Sequence, residues 1–120
     1  MIRLIQRRLI IPRGDTGSFT IPTLGTVGEG DVAVFSIYDP LIHSTVFEKI
    51  VPATNDTITI SFEHIDTVNL ECKKYLWDIK IYKSPQYDED GLLINGEEIN
   101  SYYAAFSLPI CEIKEVTQNV

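Results

Sequence analysis

Three short stretches hold residue types that could do chemistry. Arg13-Gly14-Asp15 spells the tripeptide that animal integrins bind. Tyr87-Asp88-Glu89-Asp90-Gly91 gathers carboxylates as calcium loops do, and Arg3, Arg7 and Arg8 cluster near the N-terminus. The first two read better as turns. Glycine admits positive φ and aspartate hydrogen-bonds its own downstream backbone, so Gly14-Asp15 supplies a turn that the flanking strand patterns need anyway. The acidic stretch lacks EF-hand spacing: counted from Asp88, the fifth position of that pattern is Leu92, which has no ligating oxygen, and flanking helices would also be needed. Asp90-Gly91 and Asn95-Gly96 are turn dipeptides, which makes this a solvated hairpin tip.

No catalytic constellation presents itself. His43 and His64 are the only histidines, and no HxH or HExxH spacing exists for a metal. Ser36, Ser44, Ser61 and Ser107 lack a nucleophile-elbow context. Cys72 and Cys111 form no CxxC, and two distant cysteines are too few for a disulfide scaffold. They are expected as free thiols in or near a core. With no GxGxxG and no P-loop, no cofactor and no enzymatic activity are expected.

The charge is unevenly placed. The net charge is −7, yet all four arginines lie in the first 13 residues, which contain no acid. From Gly14 onward, six lysines face 17 acids. An acidic body repels phosphate backbones, so nucleic acid is not an expected partner. A positive arm on a negative body has another use: the arm of one copy can meet the acidic face of another. Arg3, Arg7 and Arg8 are therefore the candidate partner-binding residues, against the plainer reading of a solvated basic strand face. Arg3, Gln6, Arg7 and Arg8 also break the apolar runs that a signal peptide or membrane span would need. Synthesis in the cytoplasm without membrane insertion is the expectation.

The elements that must position these residues are strands. The 120-residue chain is long enough for one domain with a real core, and 44% hydrophobic content is ordinary for one. Residues 2–11 form a β-rich run. Phe19 and Ile21 then share a face, as do Ala33, Phe35 and Ile37 before Asp39-Pro40 breaks the pattern. A strand over 45–51 stops at Pro52. Ile58, Ile60 and Phe62 alternate with Thr57, Thr59 and Ser61, the cleanest half-buried strand in the chain. A short helical turn over 64–70, capped by Asp66 or Thr67, precedes a strand in which Tyr75, Trp77, Ile79 and Ile81 share a face. Trp77 is expected in the core. A polar loop over 84–101 and a last β-rich run over 102–116 follow. This pattern predicts an all-β, Ig-like antiparallel β-sandwich of seven or eight strands over residues 1–116, with a flexible tail at 117–120.

Three stretches, GDTGSFTI, DVAVFSIYDP and ITISFEHIDTVNLECKKYLWDIKIY, carry a family resemblance. Their order resembles the N-terminal domain of phage upper baseplate proteins and related small β-sandwich proteins of phage tails and prophages. The matching positions are Gly14, Asp15, Thr16, Phe19 and Ile21, then Phe35, Ile37 and Asp39. Asp66, Thr67, Leu70, Tyr75, Asp78 and Ile79 follow. Glu71-Cys72-Lys73-Lys74 departs from the Pro/Gly-type turn of that family, and the family's fibre-linking region has no counterpart in this sequence. The resemblance implies a non-enzymatic virion or prophage subunit that docks onto copies of itself or onto other tail and baseplate proteins. The alternative is a carbohydrate-binding sandwich, with Tyr82, Tyr87, Tyr102 and Tyr103 as stacking faces for a glycan.

Overall fold

The computed structural model describes residues 1–22, 30–53, 57–91, 93–101 and 109–115. Its elements are strands β1 (Arg3–Ile5), β2 (Arg8–Pro12), β3 (Gly17–Pro22), β4 (Val32–Asp39), β5 (Ser44–Pro52) and β6 (Thr57–Phe62). Helical turn α1 (His64–Thr67) and strands β7 (Lys74–Tyr87), β8 (Leu93–Ser101) and β9 (Ile110–Lys114) complete the order. The larger sheet runs β1-β2-β9-β7-β4-β5, with β8 also paired to β7, and β3 and β6 form a second sheet of two strands. Every pairing is antiparallel except β2 with β9, which is parallel.

The two layers close because period-two alternation gives each strand one apolar face. Phe19 and Ile21 of β3 and Ile58, Ile60 and Phe62 of β6 cover Phe35 and Ile37 of β4, Trp77 and Ile79 of β7, and Leu9 and Ile11 of β2. All of these are buried, Trp77 completely. Aromatic rings join the layers: the Phe19 centroid lies 5.8 Å from Trp77 and 5.7 Å from Phe35, both edge-on.

The arrangement is Ig-like in a specific way. In immunoglobulin domains a tyrosine at the start of the sixth core strand hydrogen-bonds back to the preceding corner, two residues before an inter-sheet cysteine. Here the Tyr75 hydroxyl donates to the Glu71 carbonyl at 2.9 Å. Two residues later stands Trp77, whose contact with Phe19 ties the sheets together where an antibody domain has its disulfide.

Several expectations are corrected in detail. The run over 2–11 is two strands, because Gln6 turns the chain at φ +56°. The stretch over 84–101 is a hairpin and not a loop, since β7 continues to Tyr87 and pairs with β8. The cap of α1 is Glu63, whose amide donates to Asp66 Oδ2 at 2.8 Å. Most of the final run expected over 102–116, and the tail expected at 117–120, lie outside the described residues.

The exposed edge β5 is guarded against indiscriminate pairing. Its partner register jumps between Ile37 and Tyr38, leaving Val46 as a bulge. Lys49 faces inward opposite Phe35, and its ammonium donates to the Ser61 carbonyl of β6. Inward charges and bulges are the ordinary means of blunting a sheet edge.

Candidate functional site

The arginine arm is a hairpin laid along one side of the larger sheet. Leu4 and Leu9 pair across it with their side chains on the core face, which sends Arg3, Ile5, Arg8 and Ile10 to the outer face. The turn is pinned from beneath: Trp77 Nε1 donates to the Arg7 carbonyl at 3.1 Å. β2 then pairs in parallel with β9, and β9 with the start of β7.

Sheet register assembles a surface that the linear sequence hides. Arg3 pairs with Ile10, Ile10 with Glu112, and Glu112 with Lys74, so four residues from four strands stand in one row. The neighbouring row holds Ile5 opposite Arg8, and Ile110 opposite Leu76. Lys114 stands beside Pro12 beyond them. Four exposed cations, Arg3, Arg8, Lys74 and Lys114, therefore cluster about one carboxylate, Glu112, beside the row that holds Ile5, Ile110 and Leu76. Ile5 is 50% exposed and Ile110 38%, a notable exposure for large aliphatic groups in a sheet.

Arg8 forms an ion pair with Glu112. That hydrogen bond is the main reason the Glu112 carboxyl is held below its ordinary value, with Lys114 and Lys74 adding to the effect against some desolvation. The carboxylate stays ionised and neutralises one cation of the four. Exposed aliphatic groups beside charged and hydrogen-bonding ones are a combination suited to a protein–protein contact.

Of the three candidate arginines, the structure places Arg3 and Arg8 together on this face. Arg7 occupies the hairpin turn, where its carbonyl serves the core. Lys74 and Lys114 were missed by sequence reasoning, because only the register of β7 and β9 brings them beside the arm.

Arg13-Gly14-Asp15 is built into the fold. Gly14 has φ +77°, donates its amide to Thr67 Oγ1 at 2.8 Å and accepts from His64 Nδ1 at 2.8 Å. A Cβ on Gly14 would stand 3.0 Å from the His64 ring. Arg13 pairs with Glu115 at 3.5 Å, and Asp15 with the Met1 amine at 2.9 Å. The tripeptide thus locks the β2–β3 turn onto α1.

The remaining candidates resolve into structural roles. Asp39 is buried and bound by Lys73 at 2.6 Å, and its Oδ1 accepts the Leu41 amide at 3.0 Å. This fixes the loop that presents exposed Leu41 and Ile42. Cys111 is buried in the core, and Cys72 is half-buried; both are free thiols. Burial pushes the Cys111 thiol up to about 12. Asp88 closes the β7–β8 turn, accepting the Asp90 amide on Oδ1 at 2.9 Å and the Gly91 amide on its carbonyl at 3.1 Å. Among the described residues, no three His, Cys, Asp or Glu side chains converge as around a metal ion. Nor is any described helix long and apolar enough to cross a membrane.

An open groove of about 310 Å³ crosses the same outer face nearer β5. Ser36 lies opposite both Glu48 and Asp78 in its floor, and Tyr38, Lys80 and Tyr82 line its sides. Tyr87 is exposed on the hairpin. Tyr102 and Tyr103 lie outside the described residues. Comparison of the chain with known protein families, with curated proteins and with solved structures finds no match.

Proposed function

We propose that this chain is a non-enzymatic structural subunit of a phage tail, baseplate or prophage particle, working through contacts with copies of itself or with neighbouring tail proteins. The observation that carries the assembly reading is the outer-face patch: four exposed cations beside exposed aliphatic side chains, on a chain whose net charge is −7. The phage assignment rests on the resemblance of GDTGSFTI, DVAVFSIYDP and the Tyr75–Ile79 stretch to baseplate domains, and on the Ig-like sandwich that such domains share.

Native mass by light scattering tests this reading at low and high salt. The account expects a defined oligomer that loosens as salt screens the arginine contacts. Arg3→Glu/Arg8→Glu should lower its mass toward that of a monomer. An unchanged mass for the variant would remove the arm from the interface.

The groove favours a second reading, as a glycan site. Carboxylates and a lysine between two tyrosines match the hydroxyl-rich edges and apolar faces of a sugar. A glycan array with hits abolished by Tyr82→Ala would favour it, and an array without hits would remove it.

A further inference from the structure

The basic patch calls for an acidic counterpart with an apolar anchor, and this chain carries one at its far end. β7 pairs with β4 only as far as Tyr82, opposite Val32. From Lys83 to Tyr87 the strand runs on, and among the described residues only β8 pairs with it there, through Lys83 with Glu97, Gln86 with Asn95 and Tyr87 with Leu93. The longest dimension of the molecule is 48 Å against 29 and 27 Å.

The tip is a formed turn. Gly91 sits at φ +81°, where a residue with a side chain would be strained, and the hydrogen bonds that the Asp90 and Gly91 amides donate to Asp88 close the turn. Glu89 and Asp90 are exposed on it, and Tyr87 beside them is 44% exposed. An exposed aromatic ring next to carboxylates complements exposed Ile5 and Ile110 beside Arg3, Arg8, Lys74 and Lys114. Tyrosine and arginine are the residue types that most often anchor protein contacts.

The tip cannot reach its own patch. Lys74 and Tyr87 are the two ends of one strand of 14 residues, up to about 43 Å apart at the usual rise per residue. We propose that the acidic tip of the β7–β8 hairpin of one copy docks on the Arg3–Lys74 patch of the next. This rests on the assembly reading above and specifies its geometry. Each copy offers one tip and one patch, so the contact is heterologous and head-to-tail. Such contacts build rings when the rotation closes and filaments when it does not.

Charge reversal tests the pairing in the full chain. Glu89→Lys/Asp90→Lys reverses the tip and spares Asp88, which closes the turn. Arg3→Glu/Lys74→Glu reverses the patch and spares the Arg8–Glu112 pair. Each variant alone should lose self-association by roughly tenfold or more in dissociation constant, because like charges then meet. Mixed in equal amounts, they should reassemble, since each reversed tip finds a reversed patch and each native tip a native patch. Circular dichroism and melting temperatures matching wild type establish that both variants fold.

Failure would be specific. If wild type assembles and the tip variant assembles as well, the hairpin is not the counterpart, although the assembly reading stands. If the two folded variants stay monomeric on mixing, the tip-to-patch pairing is wrong. A wild-type chain that is monomeric at all concentrations would overturn both this pairing and self-assembly, leaving a different tail protein as the occupant of the patch.

Discussion

Trp77 lends its indole N–H to the carbonyl of Arg7, 3.1 Å away, across 70 positions of sequence. The bond joins the centre of the aromatic core to the turn of the arginine hairpin. It anchors the turn between β1 and β2 to the larger sheet. The same ring packs against Phe19 and Phe35 on the side facing the second layer.

Trp77→Phe keeps an aromatic ring and removes the donor. It should cost about 1–3 kcal/mol, because the hydrogen bond to the Arg7 carbonyl is lost and a smaller ring leaves a void. Hydrogen exchange should rise at the amides of β1 more than at those of β6. Trp77→Ala should cost about 3–5 kcal/mol, read as the midpoint shift in a urea titration.

Gly14→Ala tests whether the Arg-Gly-Asp turn is structural. The left-handed backbone and the 3.0 Å approach to His64 both oppose a methyl group. The expected loss is about 1–3 kcal/mol. Thr67→Val should lose a similar amount, since Thr67 is fully buried and its hydroxyl holds the Gly14 amide. Thermal melts of both variants check this. Integrin binding should be absent from the wild-type chain.

Acid should weaken the fold through Asp39 and Glu112. The Asp39 carboxyl is held below its ordinary 3.8, chiefly by its hydrogen bond from Lys73 and against the opposing effect of burial. Glu112 is held below 4.5, chiefly by Arg8. Each folded value lies below the unfolded one, so their stabilisation is complete above those ordinary values and is lost as the pH falls through the folded ones. Lys73 is raised above 10.5, chiefly by the same hydrogen bond to Asp39. Its contribution is complete below 10.5 and is lost as the pH rises through the folded value. Melting temperatures measured against pH should fall in acid below these carboxylate values, and Asp39→Asn should make that acid limb shallower.

Alkylation should distinguish the two thiols. The thiolate is the reactive form, and burial raises both groups, Cys111 to about 12. Mass spectrometry after iodoacetamide at neutral pH should find Cys111 unmodified in the folded protein, Cys72 modified slowly, and both modified rapidly in urea.

The core was legible where a strand alternates strictly. Ile58, Ile60 and Phe62 announce their face, and so do Tyr75, Trp77, Ile79 and Ile81. The arm hairpin was not legible, because Gln6-Arg7 carries none of the Gly, Asn or Pro signals that mark a turn. The β7–β8 arm was legible only at its tip, where Asp90-Gly91 marks a turn; the stretches on either side of it carry no strict apolar alternation. The patch could be read only in part. Arg3 and Arg8 stand out by type, but Lys74 reaches them through Glu112 and Ile10 on two other strands, and strand order is a property of the whole fold.

The most direct test is acetylation of surface lysines, followed by mass spectrometry over a range of protein concentrations. Lys80 lies on the same strand as Lys74 and on the same face, but outside the patch. The account predicts that Lys74 and Lys114 become protected as concentration rises while Lys80 keeps its rate, and that salt restores their labelling. Equal labelling of all three lysines at every concentration would contradict an interface built on this face.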